Sequence, residues 1–150
     1  MLSRKIGVVL QKLGRKLAGD QEFNNVEEMH AKFGFTVGYY PEMLPRKVML
    51  ARAMFIKEEL DELMNAIASN DLPEAADALI DIVYVAKGTA VMMGLPWEPL
   101  WDDVHRANMT KEKGLTKRGM DEDLIKPPGW EPPDTIQILL DYGWVHPDDH

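Results

Sequence analysis

With 150 residues, 45% of them hydrophobic, and no cysteine, the chain is long enough to bury a core without staples, and thiolate metal sites, disulfides and thiol chemistry are excluded. The formal net charge of −8 is uneven: residues 1–19 hold Arg4, Lys5, Lys12, Arg15 and Lys16 and no acid, which leaves −13 on the rest, a body that repels nucleic acid. No uncharged run is long enough for a secretory signal or a spanning helix, so a soluble, cytoplasmic chain with no membrane or nucleic-acid partner is expected.

Helical periodicity dominates, and alternation of period two never extends beyond a few residues, so the expected fold class is all-α: one domain over 1–150, built as a bundle of four to five helices. Leu2, Ile6, Val9, Leu13 and Leu17 make residues 1–20 a basic amphipathic helix, read as a packing helix with a solvated basic face. A second helix runs from about Phe23 to Phe33 and stops at Gly34, with Phe23, Val26, His30 and Phe33 on one side. Residues 34–44, with two glycines and a proline, are a loop. The third helix has Pro45 at its first position and continues to about Ala68. The fourth opens on Asp71 as N-cap, with Glu74 three residues on as in a capping box, and stops at Gly94. A fifth starts near Pro96 and Trp97 and ends between Asn108 and Lys111. The Pro/Gly-rich tail, 114–150, holds one short helix at Thr135 to Tyr142.

Acidic residues mark the third and fourth helices. Glu58-Glu59-Leu60-Asp61-Glu62 on its own is an ordinary solvated helix face. The fourth helix sharpens the reading, because Ala78 to Leu95 is apolar apart from Asp81 and Lys87, and a carboxylate on a buried helix needs a hydrogen-bonding partner or a cation. At 100° per residue, Glu59 and Glu62 lie on a stripe beside a core face of Ile56, Leu60, Leu63 and Ile67, with Glu58 nearer solvent and Asp61 the most exposed. Glu74, Asp77, Asp81, Tyr84 and Gly88 form the matching stripe on the next helix. An antiparallel hairpin of the two would let Glu59 and Glu62 converge with Asp77 and Asp81, and all-oxygen ligation favours Mg²⁺, with Mn²⁺ as substitute.

Together with Gly94-Leu95-Pro96 and the run HRANMTKEKG from His105 to Gly114, these residues resemble the all-α nucleoside triphosphate pyrophosphohydrolases. That superfamily holds MazG-like, dimeric dUTPase-like, dCTPase-like and phosphoribosyl-ATP pyrophosphohydrolase-like proteins. VEEMHAKFG from Val26 and KPPGWEPPD from Lys126 are similar to its small, phage-type members. The resemblance covers most of residues 24–134 and leaves out the first helix. It implies hydrolysis of a nucleoside triphosphate to the monophosphate and pyrophosphate, in a homodimer or homotetramer. It implies metal ligands Glu59 and Glu62 plus a second pair. Glu74-Ala75-Ala76-Asp77 matches the family's ExxD literally, but counting back from Gly94 makes Asp81 the matching Asp and puts Ala78 at the Glu position. Asp77 and Asp81 are therefore taken as the pair, with Glu74 as an outer or alternative ligand. Glu59 or Glu58 would be the general base. Asn108 and Lys111 would contact substrate, with Lys126, Arg106 and Lys113 as further cations.

Trp97, Trp101 and Tyr84, at helical spacing, are expected in the core, and His30 and His105 are expected to be structural. Two rival readings remain. Glu27-x-x-His30 and Asp102-x-x-His105 imitate the spacing of di-iron carboxylate bundles, and an acidic helical module could bind a partner without catalysis.

Overall fold

The computed structural model describes residues 19–114 and 123–146. The basic amphipathic helix expected in the first 18 residues lies outside them. The chain forms two units, residues 1–95 and 96–150. The described residues hold five helices and one two-stranded ladder, and no helix among them is long and apolar enough to cross a membrane.

In the first unit, α1 spans Gln21–Phe33. Asp20 caps it by accepting hydrogen bonds from the Glu22 and Phe23 N–H groups at 2.9 and 3.1 Å. This cap starts the helix two residues earlier than its apolar spacing predicts. Gly34 closes it in the left-handed conformation, φ 70°. Val26 and His30 are buried, whereas Phe33 is exposed, contrary to the expected apolar side.

Helix α2 spans Arg46–Ser69, with Pro45 as N-cap and not as first helical residue. Asn70 and Asp71 turn the chain into α3, Leu72–Met92, and the Asp71 carboxylate accepts from the Glu74 N–H at 3.2 Å. The two helices are antiparallel: Arg52, early in α2, donates from Nε to Thr89 Oγ1 at 3.0 Å and from Nη2 to the Val85 carbonyl at 2.8 Å, late in α3. Gly88 makes room for this tie, since a Cβ there would meet Arg52 Nη2 at 2.8 Å and His30 Nε2 at 3.1 Å. The loop after α1 crosses the end of α3, where the Gly38 N–H reaches the Val91 carbonyl at 2.9 Å. A Cβ on Gly38 would strike the Met92 carbonyl, so only glycine allows the backbones to pass this closely.

The side of α2 turned to α3 carries Arg52, Ile56, Glu59, Leu63 and Ala66, buried or half-buried. Leu60 and Ile67, expected in the core, are 47% and 61% exposed. The inward face is rotated toward the acids, which puts Glu59 on it instead of beside it.

In the second unit, α4 spans Trp97–Met109 and α5 spans Thr135–Asp141. Between them β1, Glu112–Gly114, pairs antiparallel with β2, Asp123–Ile125, with Glu112 opposite Ile125. Three-residue strands are too short to leave a periodic signal, and the tail was expected to hold only a helix. Hydrogen bonds fasten the tail to α4: Trp130 Nε1 donates to the Ala107 carbonyl at 2.7 Å, and the Asp134 N–H donates to Asp103 Oδ2 at 2.7 Å.

Candidate active site

Helix α2 presents Glu59 half-buried and Glu58, Asp61 and Glu62 exposed, while α3 presents Asp81 half-buried and Asp77 exposed. The Glu59 carboxyl is held above the ordinary glutamate range, first by desolvation and then by the negative charges of Glu62, Asp81, Glu58 and Asp77. The hairpin thus brings the acids of both helices into one electrostatic neighbourhood. Glu74 is not among the charges raising Glu59, and its N–H is occupied with the helix cap. Asp61 is paired with Lys57 on the solvent side.

Among the described residues the ion pairs are Lys57–Asp61, Lys87–Asp20, Lys87–Glu22 and Arg106–Asp103. Glu59, Glu62, Asp77 and Asp81 therefore have no cationic partner there. Nor are any three His, Asp or Glu side chains of the described residues already gathered at coordinating range. These carboxylates share a field without meeting at a point. Glu59, Glu62, Asp77 and Asp81 are the residues that could hold a cation, and their donor set, carboxylate oxygen throughout, fits a hard divalent ion.

Asp81 needs a correction: it is half-buried, not a lone charge inside an apolar helix. The deeply buried charge of that stretch is Lys87, 5% exposed, whose Nζ lies 2.8 Å from Asp20 Oδ2 and 2.7 Å from Glu22 Oε2. Burial by itself would lower the Lys87 pKa, but its hydrogen bonds and charge pairing with Asp20 and Glu22 leave it raised. Burial likewise opposes the Asp20 carboxylate, yet Lys87 and the backbone N–H groups of Phe23 and Glu22 bring it below its ordinary value. Sequence reasoning noted Lys87 only as an interruption. Its partners sit in a helix cap 65 and 67 residues away, a pairing no local pattern announces.

The second unit collects the expected substrate contacts. Lys111 Nζ donates to Asn108 Oδ1 at 2.8 Å, and Lys111 and Lys126 stand 5.5 and 4.4 Å from the centre of the Trp130 ring. Exposed cation–π contacts of this kind contribute on the order of 0.5–1 kcal/mol each. Trp130 was not singled out from the sequence, although its place in KPPGW, four residues after Lys126, was the available signal. Arg106 is committed to Asp103 and to the Pro132 carbonyl.

His30 is buried and donates from Nδ1 to the Thr36 carbonyl at 3.0 Å, a packing role, while His105 is exposed. Trp97 and Trp101 stack at 6.4 Å, but Trp101 is 62% and Tyr84 37% exposed, so neither belongs to the core.

A hairpin of two helices with acids from both in one electrostatic neighbourhood is the arrangement that the resemblance to the all-α nucleotide pyrophosphohydrolases implies. The sequence profile of the phosphoribosyl-ATP pyrophosphohydrolase family matches residues 26–108, and the chain belongs to this family. The match takes in the whole α2–α3 hairpin and α4 through Asn108. No individual curated protein matches the chain.

Proposed function

We propose that the protein hydrolyses a nucleoside triphosphate, NTP or dNTP, to the monophosphate and pyrophosphate in a Mg²⁺-dependent reaction. The observation that carries this reading is Glu59, turned toward α3, with its proton affinity raised among four further carboxylates that have no cationic partner among the described residues.

Glu59, Glu62, Asp77 and Asp81 would hold the ion, and Mn²⁺ would substitute. Bound there, Mg²⁺ supplies charge neutralisation at the polyphosphate and acidifies water. Glu59 takes the proton as water attacks the α-phosphorus. Glu58, adjacent and exposed, is the second candidate for that proton. The bond from the α-phosphorus to its bridging oxygen breaks, and pyrophosphate leaves with the electron pair. Asn108, Lys111 and Lys126 provide donors to the substrate's phosphates.

The active form is a homodimer or a tetramer of dimers. Leu60, Met64 and Ile67 on α2, and Leu72, Leu79 and Val83 on α3, lie on the side of the hairpin opposite Glu62 and Asp81, and all six are exposed. A second copy of the chain suits so apolar a face.

The test is a pyrophosphate-release screen over the common NTPs, dNTPs and phosphoribosyl-ATP, with Mg²⁺ and with chelator. Metal-dependent release with at least one compound is expected. Folded protein that releases pyrophosphate from none of them would overturn the reading.

A further inference from the structure

We infer that Trp130 is a positioning residue that turns Lys111 and Lys126 into one seat for an oligophosphate, an anion with at least two adjacent phosphoryl groups. The inference rests on the proposed action on a nucleotide's phosphate chain and deepens it.

The register of the short ladder is the starting point. Glu112 pairs with Ile125 at one end of the ladder, so Lys111 and Lys126 flank that end, each one residue beyond the last pair. Like charges flanking the same end of a ladder repel one another. Here both are cations, and among the described residues neither pairs with a carboxylate: Lys111 is held by the Asn108 amide oxygen, and Lys126 only by the ring.

The sequence after Lys126 explains the ring. Pro127-Pro128-Gly129-Trp130 closes a turn, with the Trp130 N–H on the Pro127 carbonyl at 3.1 Å and Gly129 at φ 78°. Proline second and a positive-φ glycine third is what a type II turn requires. The turn sends the chain back, so that the indole lands against the lysine just passed and the one that precedes β1. The bond from Nε1 to the Ala107 carbonyl, 2.7 Å, fixes the ring against the end of α4. Both ammonium groups lie within 5.5 Å of one ring centre, and so within about a Debye length of each other, ~10 Å at 0.1 M salt. A π face attracts each cation without neutralising it. The pair is therefore ordered and still carries two positive charges, which suits neighbouring phosphoryl groups better than a single carboxylate. Lysine, a compact point charge with rotatable donors, matches phosphate oxygens without demanding planar geometry.

The probe is inorganic tripolyphosphate in chelator-containing buffer, which isolates this seat from any metal-dependent binding. The protein is labelled with 5-fluorotryptophan, and the Trp130 resonance among the four tryptophans is assigned with Trp130→Phe. The Trp130 line should shift saturably. Calorimetry should find binding weakened by at least about tenfold in Lys111→Ala/Lys126→Ala, as for loss of charged hydrogen bonds. Trp130→Leu, with both lysines present, should weaken it about fivefold, while Trp130→Phe, which keeps a π face but loses the Nε1 bond to Ala107, should weaken it less than Trp130→Leu does. In turnover, Trp130→Leu should raise KM and leave kcat within about twofold, since it alters binding made equally in ground and transition states. A Trp130 line that does not move at saturation, or Trp130→Leu binding as wild type does, overturns the inference. Should Trp130→Leu fail to fold, the wild-type shift and its loss in the double lysine variant decide. Tripolyphosphate binding without any pyrophosphate release counts against the hydrolase reading alone, whereas turnover with KM unmoved in Trp130→Leu counts against the seat alone.

Discussion

Asp81 and Lys87 stand six residues apart on α3, the two charges in one apolar stretch, and the fold treats them in opposite ways. Lys87 is almost fully buried and has two carboxylates brought to it from the cap of α1. Asp81 is half-buried, adds its charge to those that act on Glu59, and is in none of the ion pairs of the described residues. A charge that serves the fold receives its counter-charge from the protein. A charge left among its own sign is a stability cost that the fold does not relieve, and such clusters accompany sites that take a cation. Which group is which should be readable in opposite responses to removing the charge.

The sharpest contrast is Glu59→Gln. Activity should drop by roughly 10²- to 10⁴-fold, the contribution of a positioned general base. Thermal stability should hold or rise, because the substitution removes a like charge from the cluster. Pyrophosphate release measured beside thermal melts checks both halves; a lower melting temperature with turnover retained would make Glu59 structural. Mg²⁺ gives the reciprocal experiment. A ligand bound only by the folded state stabilises it by about 2.7 kcal/mol at a hundred times its dissociation constant. That increment should appear in urea titrations of the wild type and shrink in Glu62→Gln and Asp81→Asn. An equal gain in all three would remove the acids from the metal site.

Lys87→Met should act the other way, costing stability and leaving activity within a few-fold. The Asp20 and Glu22 side chains it would strand are 29% and 77% exposed and can rehydrate. The loss is therefore smaller than for a fully buried pair, about 1–3 kcal/mol by denaturant unfolding. Its pH dependence follows from the two shifts. Asp20 is depressed, so its share is present above the ordinary carboxylate value of 3.8 and is lost as pH falls through its lower folded value. Lys87 is raised, so its share is present below 10.5 and is lost as pH rises through its higher folded value. The stability difference between wild type and Lys87→Met should be flat across neutral pH and narrow at both extremes. A difference that changes between pH 6 and 8 would mean that another group carries it.

The legible part of the molecule was what local chemistry encodes. Asp71 as a cap, Gly34 as a stop and the 3.6-residue spacing set the helix ends to within a residue or two, because caps and periodicity act over a few residues. Long-range pairing was not legible. Leu60 and Ile67 fit an inward stripe as well as Arg52 and Glu59 do by spacing alone, and hydrophobicity favoured the wrong pair. The tie from Arg52 to Val85 and Thr89 holds α2 in the observed rotation. The ladder whose end Lys111 and Lys126 flank went unseen for the same reason: three residues a side carry no periodicity, and its register is a tertiary fact. Of the acids, the sequence offered the candidates; Asp77 is among the charges that act on Glu59 and Glu74 is not, while the Glu74 backbone N–H, and not its carboxylate, meets the Asp71 cap.

Asp61 supplies the smallest predicted effect and the strictest control. It lies inside the same five-residue acidic run as Glu58, Glu59 and Glu62, so a reading by composition would treat all four alike. The helix turns it to solvent, where Lys57 one turn earlier pairs with it, and it is absent from the charges that raise Glu59. An exposed i,i+4 pair contributes about 0.3–0.5 kcal/mol. Asp61→Asn should therefore lower stability by no more than that, with the difference fading at high salt as the pair is screened. Turnover and the Mg²⁺-dependent stabilisation should both stay at wild-type values. If instead Asp61→Asn loses activity as Glu59→Gln does, the acidic run works through its total charge, and the distinction between inward and outward carboxylates falls with it.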